Sequence, residues 1–75
     1  MSMSPARDAV LTVLREASEP LHWTVIQDRA LRAGYLDPFA DPDVRGSVLG
    51  ALRTLVDEGF VVKTGKGVYA PAGGR

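Results

Sequence analysis

The C-terminal part of the sequence contains two short β-forming runs on either side of a glycine-rich turn. Residues 60–63 and 68–70 are rich in branched and aromatic side chains, which favour extended backbone. Gly65 and Gly67 flank Lys66 at the point where the chain must reverse. The pattern predicts a β-hairpin. Because an isolated two-stranded hairpin is not stable in water, this hairpin must pack on the segments that precede it.

Apolar residues at helical spacing predict two helices in the first half of the chain. The first begins with Ser4 as N-cap and Pro5 at the first helical position. The second covers about residues 23–33, and Gly34 supplies the left-handed residue that ends it. Between them, Leu21 is expected to form a very short extended pairing with an edge of the hairpin. The predicted core positions of these helices are Ala6, Val10, Val13, Leu14, Ala17, Trp23, Ile26, Ala30 and Ala33.

A third helix is predicted after a loop that contains two Asp-Pro turns. Phe39 is expected to anchor this loop to the core. Asp41 as N-cap, followed by proline, begins the helix, and Gly59 ends it. Phe60 is expected to be buried at the start of the hairpin. The predicted core stripe of the helix is Val44, Val48, Ala51, Leu52 and Leu55.

These elements define an expected fold class. The chain is predicted to be mainly α with a small β-hairpin (α+β), as a winged helix-turn-helix with three helices followed by a C-terminal two-stranded wing. A chain of 75 residues buries only about 60% of its unfolded surface, so one domain is expected over residues 1–75. Its core covers about residues 5–70, with tails at 1–4 and 71–75.

The charge balance limits how the chain could hold a polyanion. Nine Lys+Arg residues oppose nine Asp+Glu residues, and the isoelectric point is near 6.5. Binding to nucleic acid must therefore come from a local basic patch. The absence of cysteine excludes a disulfide framework and a thiolate metal site.

Hydropathy predicts a cytoplasmic protein without a membrane partner. No apolar run approaches the roughly 20 residues that cross a bilayer, and residues 1–4 lack the features of a signal peptide. Seven arginines against two lysines, with many Ala, Gly, Pro and Val residues, are typical of a bacterial or phage genome rich in G and C.

The outer face of the third helix and the hairpin supply candidate contacts to duplex DNA. In a winged helix this face meets the major groove, where arginine commonly binds guanine. The alternative is a solvated surface, with Arg53 paired to Asp57 at i,i+4 and the lysines of the hairpin serving solubility. The candidate DNA-binding residues are Arg45, Ser47, Arg53, Thr54, Lys63 and Lys66.

Two glycines on the same helix face indicate a different kind of contact. Gly46 and Gly50 each cost about 0.8 to 1 kcal/mol relative to alanine in an exposed helix interior. Their spacing, with Leu49 beside them, makes a smooth surface that another backbone could approach. That backbone is a DNA strand, a second subunit or another protein. The alternative function is therefore a protein-interaction adaptor or dimerisation module that uses Gly46, Leu49 and Gly50. The other interpretation is that an exposed surface merely tolerates the two glycines.

No catalytic or metal-binding constellation is recognised in the sequence. His22 is the only histidine and is expected to cap or pack at a helix start. Asp37, Asp41 and Asp43 do not fit an EF-hand, and the glycines around Lys66 do not fit a P-loop. We therefore expect no enzyme activity, no cofactor, no metal and no small-molecule substrate.

Several segments resemble the HARE winged helix-turn-helix domain. They are residues 20–26 (Pro-Leu-His-Trp-Thr-Val-Ile), the Ser47-Val48 and Ala51-Leu52 steps, and the ending 59–70. The resemblance covers about residues 6–70, although the loop at 35–41 differs from the usual insert of that family. HARE domains accompany chromatin proteins and restriction endonucleases and occur in the delta subunit of bacterial RNA polymerase. The resemblance implies a non-catalytic DNA-recognition module or adaptor, and we expect a small transcription regulator that works as a dimer or in a larger assembly.

Overall fold

The computed structural model describes residues 5–74, which form three helices and a three-stranded antiparallel sheet. Its elements are α1 (Pro5–Ala17), β1 (Leu21–His22), α2 (Trp23–Arg32), α3 (Val44–Glu58), β2 (Val61–Gly65) and β3 (Val68–Pro71), followed by a 3-10 turn at Ala72–Gly74. The strand order is β1-β3-β2, so β3 lies in the centre of the sheet. The predicted α+β class is confirmed, but the sheet has a third strand.

The third strand comes from the connection between α1 and α2. Leu21 pairs with Tyr69, and His22 pairs with Val68. The expected short pairing at Leu21 is therefore confirmed, and it joins the N-terminal half of the chain to the hairpin. Residues 71–74, predicted as part of a tail, also belong to the fold, since Pro71 lies in β3 and the Ala72 N–H donates to the Phe60 carbonyl oxygen at 2.9 Å.

The ends of α1 and α2 follow the predicted signals where the structure describes them. The predicted cap Ser4 lies outside the described residues. The His22 side chain caps α2, and its Nδ1 accepts a hydrogen bond from the Thr24 N–H at 3.3 Å. Gly34 follows the helix with a φ of 80°, and the Tyr35 N–H donates to the Ala30 carbonyl oxygen at 2.9 Å. The left-handed glycine end of α2 is thus confirmed.

The predicted N-cap of α3 is wrong by two residues. Asp43 is the cap, because its Oδ1 accepts the Gly46 N–H at 3.0 Å. Asp41 holds the preceding turn, since its Oδ1 accepts the Asp43 N–H at 2.9 Å. Both aspartates therefore accept backbone hydrogen bonds, but only the second one lies directly before the helix. The predicted end at Gly59 is confirmed, with a φ of 87°.

The core lies where the three helices meet the inner face of the sheet. Most predicted core positions are buried, and Val61 and Leu36 join them. Ala33 is exposed, contrary to expectation. The fully buried residues of largest volume are Leu14, Ile26, Leu52, Leu55, Val10, Val48 and Val61.

Two aromatic residues expected in the core are exposed. Phe60 keeps 46% of its surface exposed, whereas Val61 keeps 1%. Because successive strand residues face opposite sides of a sheet, a shift of one position decides which side chain enters the core. The Arg7 guanidinium carbon lies 5.4 Å from the centroid of the Phe60 ring. Phe39 is 97% exposed and does not anchor its loop.

None of the described helices is long and apolar enough to cross a membrane.

The burial of Leu52 gives a direct test of the placement of α3. We expect Leu52→Ala to lower the free energy of unfolding by about 2 to 5 kcal/mol, because it leaves a cavity at a fully buried position. The exposed strand residue Val62 serves as a control, and Val62→Ala is expected to cost no more than about 1 kcal/mol, because alanine is a poorer strand former but leaves no buried cavity there. Urea unfolding measures both. Substitutions at exposed positions usually change stability by less than about 0.5 kcal/mol. A loss that small for Leu52→Ala would contradict this helix orientation.

Candidate nucleic-acid interface

The tip of the hairpin is fixed against the start of α2. The Trp23 N–H donates to the Gly67 carbonyl oxygen at 2.9 Å, which continues the pairing of β1 with β3. Gly67 has a φ of 72°, and a Cβ there would lie 2.8 Å from His22 Nε2 and 3.4 Å from Trp23 Cδ1. Gly67 is therefore required both by its backbone conformation and by close packing. Gly65 has no positive φ, in contrast to what the turn pattern allowed. Lys66 is consequently held beside the first turn of α2.

Arg45 meets the same part of α2 from the start of α3. Its guanidinium carbon lies 5.4 Å from the centroid of the Trp23 ring, within the range of a cation–π contact. The Trp23 and His22 rings lie 5.9 Å apart. His22 and Trp23 thus belong to the neighbourhood of two predicted DNA contacts, although sequence reasoning placed them only in a cap and in the core. The sequence signal that could have found them is a tryptophan at the first position of a helix.

Arg53 and Lys63 line one shallow depression between α3 and the sheet. Its volume is about 330 Å³, and Leu49, Asp57 and Tyr69 also border it. Across residues 5–74 the ion pairs join Arg7 to Glu58 and Arg32 to Asp28. The solvated-surface alternative required an ion pair between Arg53 and Asp57. These two residues do not form one.

Ser47 and Thr54 lie on the opposite shoulder of α3 from this depression. Together with Gly46 and Gly50 they line a groove of about 750 Å³ between α3, the start of α1 and the loop at residues 34–41. Leu49 does not line this groove. The predicted DNA-binding residues and the predicted partner interface are thus each divided between two surfaces. One surface is the depression beside the sheet, and the other is the groove beside α1.

The groove has an acidic border. The Asp37 Oδ1 accepts the Phe39 N–H at 2.9 Å, which forms a tight turn. Hydrogen bonding from the Ser47 hydroxyl, and then from the Asp43 backbone N–H, lowers the pKa of Asp41 below its usual value of 3.8. Asp41 is consequently ionised at neutral pH, and Ser47 interacts with a carboxylate on this side of the helix.

Within the part of the chain that the structure describes, no group of three or more His, Cys, Asp or Glu side chains could hold a metal ion. The three aspartates before α3 instead serve its loop and cap, as their hydrogen bonds show.

No protein-family model, curated protein sequence or solved structure matches this chain. The resemblance to the HARE domain therefore depends on the quoted residues alone and stays a prediction.

The two glycines of α3 have different surroundings. A Cβ at Gly46 would overlap Asp43 Oδ2 and lie 2.8 Å from Asp43 Cγ, whereas a Cβ at Gly50 would meet nothing within 4 Å. The N-cap thus accounts for the glycine at position 46 but not for the glycine at position 50.

This difference predicts opposite effects of the same substitution. Gly50→Ala should raise the free energy of unfolding by up to about 1 kcal/mol, because alanine favours the helix and has room. Gly46→Ala should lose most or all of that gain, because displacing the Asp43 cap costs about 0.5 to 2 kcal/mol. Urea unfolding of both variants measures the contrast. Equal stabilisation by the two alanines would show that Asp43 does not cap the helix as described.

The hairpin tip gives a second matched comparison. Gly67→Ala and Gly34→Ala both place a side chain at positive φ, which costs roughly 1 to 2 kcal/mol. Only position 67 adds a close contact, since a Cβ at position 34 meets nothing within 4 Å. We therefore expect Gly67→Ala to destabilise the protein more than Gly34→Ala does in thermal or urea unfolding. The same loss in both would mean that the tip does not pack on His22.

Proposed function

We propose that this chain is a winged helix-turn-helix module that binds duplex DNA through α3 and the β2–β3 hairpin. The observation that carries the proposal is the arrangement of four basic side chains around these two elements. Arg53 and Lys63 share one depression, Arg45 extends from the first turn of α3, and Lys66 occupies the hairpin tip. Support also comes from the sheet, since β1 fastens the hairpin beside the helices in the way that a wing requires.

The proposed DNA surface includes fewer residues than the candidate DNA-binding residues predicted from the sequence. Ser47 and Thr54 border the groove that carries Asp37 and Asp41. Arg7 also lines this groove but is paired with Glu58, so phosphate would meet an excess of negative charge. Ser47 also interacts with the Asp41 carboxylate. The proposal therefore assigns phosphate contacts to the basic side chains and gives no DNA role to the two hydroxyls.

We propose weak binding with little sequence preference. Arg45 and Arg53 are separated along α3 by about 12 Å, at 1.5 Å per residue. Leu49 lies between them on α3 and borders the same depression as Arg53, and its apolar side chain offers no hydrogen-bonding group to a base edge. Contacts to phosphates position a protein on DNA without selecting a sequence. The nine positive and nine negative residues of the chain give no long-range attraction, so the affinity depends on the local basic surface.

The proposed role is that of a small cytoplasmic regulator of transcription or an adaptor, without catalysis, acting as a dimer or in a larger assembly. In this proposal His22 has the role of a helix cap, because its Nδ1 accepts the Thr24 N–H and lies 2.8 Å from the Thr24 hydroxyl oxygen. The alternative, a protein-interaction adaptor, draws support from the groove that contains Gly46 and Gly50.

Salt-dependent binding to duplex DNA tests the proposal. Each lysine removed from the hairpin should reduce the slope of log affinity against log salt by about 0.9, because fewer counterions are released. We therefore expect Lys63→Ala/Lys66→Ala to bind more weakly and with a shallower slope, as measured by fluorescence anisotropy across a salt series.

A second variant controls for total charge. Arg15→Ala/Arg29→Ala also removes two positive charges, but from exposed positions on α1 and α2. It should keep the slope of the unaltered protein. An unchanged affinity and slope in the lysine variant, or equal losses in both variants, would contradict a DNA contact by the hairpin.

A further inference from the structure

The groove beside α1 is separate from the basic depression and has the features of a docking site. Its wall on α3 includes Gly50, where no side chain covers the helix backbone, and the small residue Ala51. Ala6 and the buried Leu36 add apolar surface on the opposite side. A volume of about 750 Å³ is sufficient for several side chains of another polypeptide.

The loop that borders the groove is held in a defined conformation. The Tyr35 hydroxyl donates to Glu16 Oε2 at 2.7 Å, which ties the loop to α1. The Asp37 carbonyl oxygen accepts the N–H groups of Ala40 and Asp41, both at 3.1 Å. These bonds restrict the loop before any partner arrives, so little ordering cost accompanies binding.

This loop also presents an aromatic ring to solvent. Phe39 is 97% exposed, and it stands in the sequence between the groove residues Asp37 and Ala40. The ring is therefore available to an external group. An exposed aromatic face attracts apolar side chains and also the cationic groups of lysine and arginine.

The charge at the groove selects among partners. Asp37 and Asp41 line it, and Asp43 follows at the start of α3. Arg7 also lines the groove, but its guanidinium forms an ion pair with Glu58, so the two aspartates give the groove its excess charge. Within residues 5–74 none of the three aspartates belongs to an ion pair. A second copy of the chain would bring the same carboxylates together, and DNA would bring phosphates. A cationic partner is the complementary one.

We propose that this groove docks a segment of a partner protein in which apolar side chains alternate with lysine or arginine. The apolar side chains contact Gly50, Ala51 and Leu36, and the cationic side chains lie against Asp37, Asp41 and the Phe39 ring. This surface does not depend on the proposed DNA contacts, which lie on the basic side of α3.

An NMR titration of the full chain with model peptides tests the proposal. The probe is an amphipathic peptide of leucine and lysine, and its counterpart replaces each lysine with glutamate. We expect saturable shifts of the backbone amides of Ala40, Gly46, Ser47, Gly50 and Thr54 with the first peptide only. Shifts centred on other residues, or equal binding of both peptides, would overturn the proposal. A dimer mass without peptide, measured by light scattering, that Gly50→Gln returns to the monomer mass would overturn it in favour of a second copy in the groove.

Matched variants give the titration its specificity. Phe39→Ala and Gly50→Gln should each lower the affinity for the leucine–lysine peptide at least about fivefold, as expected for residues central to a contact. Both should stay folded, since Phe39 is exposed and a Cβ at position 50 meets nothing within 4 Å. The control Val62→Ala truncates another exposed apolar residue, on β2, and should leave the affinity unchanged.

The carboxylates have their own control. Asp37→Asn/Asp41→Asn keeps the oxygens that accept the loop hydrogen bonds but removes both charges. This double variant should bind the leucine–lysine peptide with lower affinity, and its affinity should depend less on salt concentration. Asp57→Asn removes a carboxylate from the other surface and should have no effect. Equal effects of the two carboxylate changes would show attraction by overall charge and would overturn a defined site.

Discussion

The pairing of β1 with β3 is the interaction on which the rest of the arrangement depends. A hairpin of two strands would not stay folded in water, and a third strand from the other half of the chain supplies the missing partner. Because β1 leads directly into α2, the sheet also fixes where that helix begins. Trp23 then receives Arg45 on its ring and donates its N–H to Gly67. The hairpin tip and the start of α3 are therefore both positioned by contacts with the same residue, Trp23.

The balanced charge of the whole chain conceals two surfaces on which different signs predominate. Asp37 and Asp41 outnumber Arg7 in the groove, whereas Arg53 and Lys63 outnumber Asp57 in the depression. Such a division lets one small domain meet two partners of different chemistry without competition for the same side chains. Total charge describes neither surface, which is why composition alone cannot choose between a nucleic-acid partner and a protein partner.

Helical periodicity predicted most of the core because burial along a helix repeats every 3.6 residues. Shorter signals were ambiguous. Asp41 and Asp43 are both suitable caps, and the exposed Phe60 directly precedes the buried Val61 at the start of β2. The basic residues of the site were recognisable by type, but their grouping was not. Leu49 and Gly50 are adjacent in sequence and lie about 100° apart around the helix, so they reach different surfaces.

The contact between Asp43 and Gly46 links two positions in the history of the sequence. The carboxylate can cap α3 in its observed position because residue 46 has no Cβ. While the aspartate is present, alanine at position 46 gives little or no increase in the free energy of unfolding, because it displaces the cap. Without the aspartate, glycine at this position lowers the free energy of unfolding by about 1 kcal/mol relative to alanine. The effects of substitutions at the two positions are therefore not additive. A sequence that loses the aspartate is therefore expected to gain stability from alanine at position 46, whereas one that keeps the aspartate gains little.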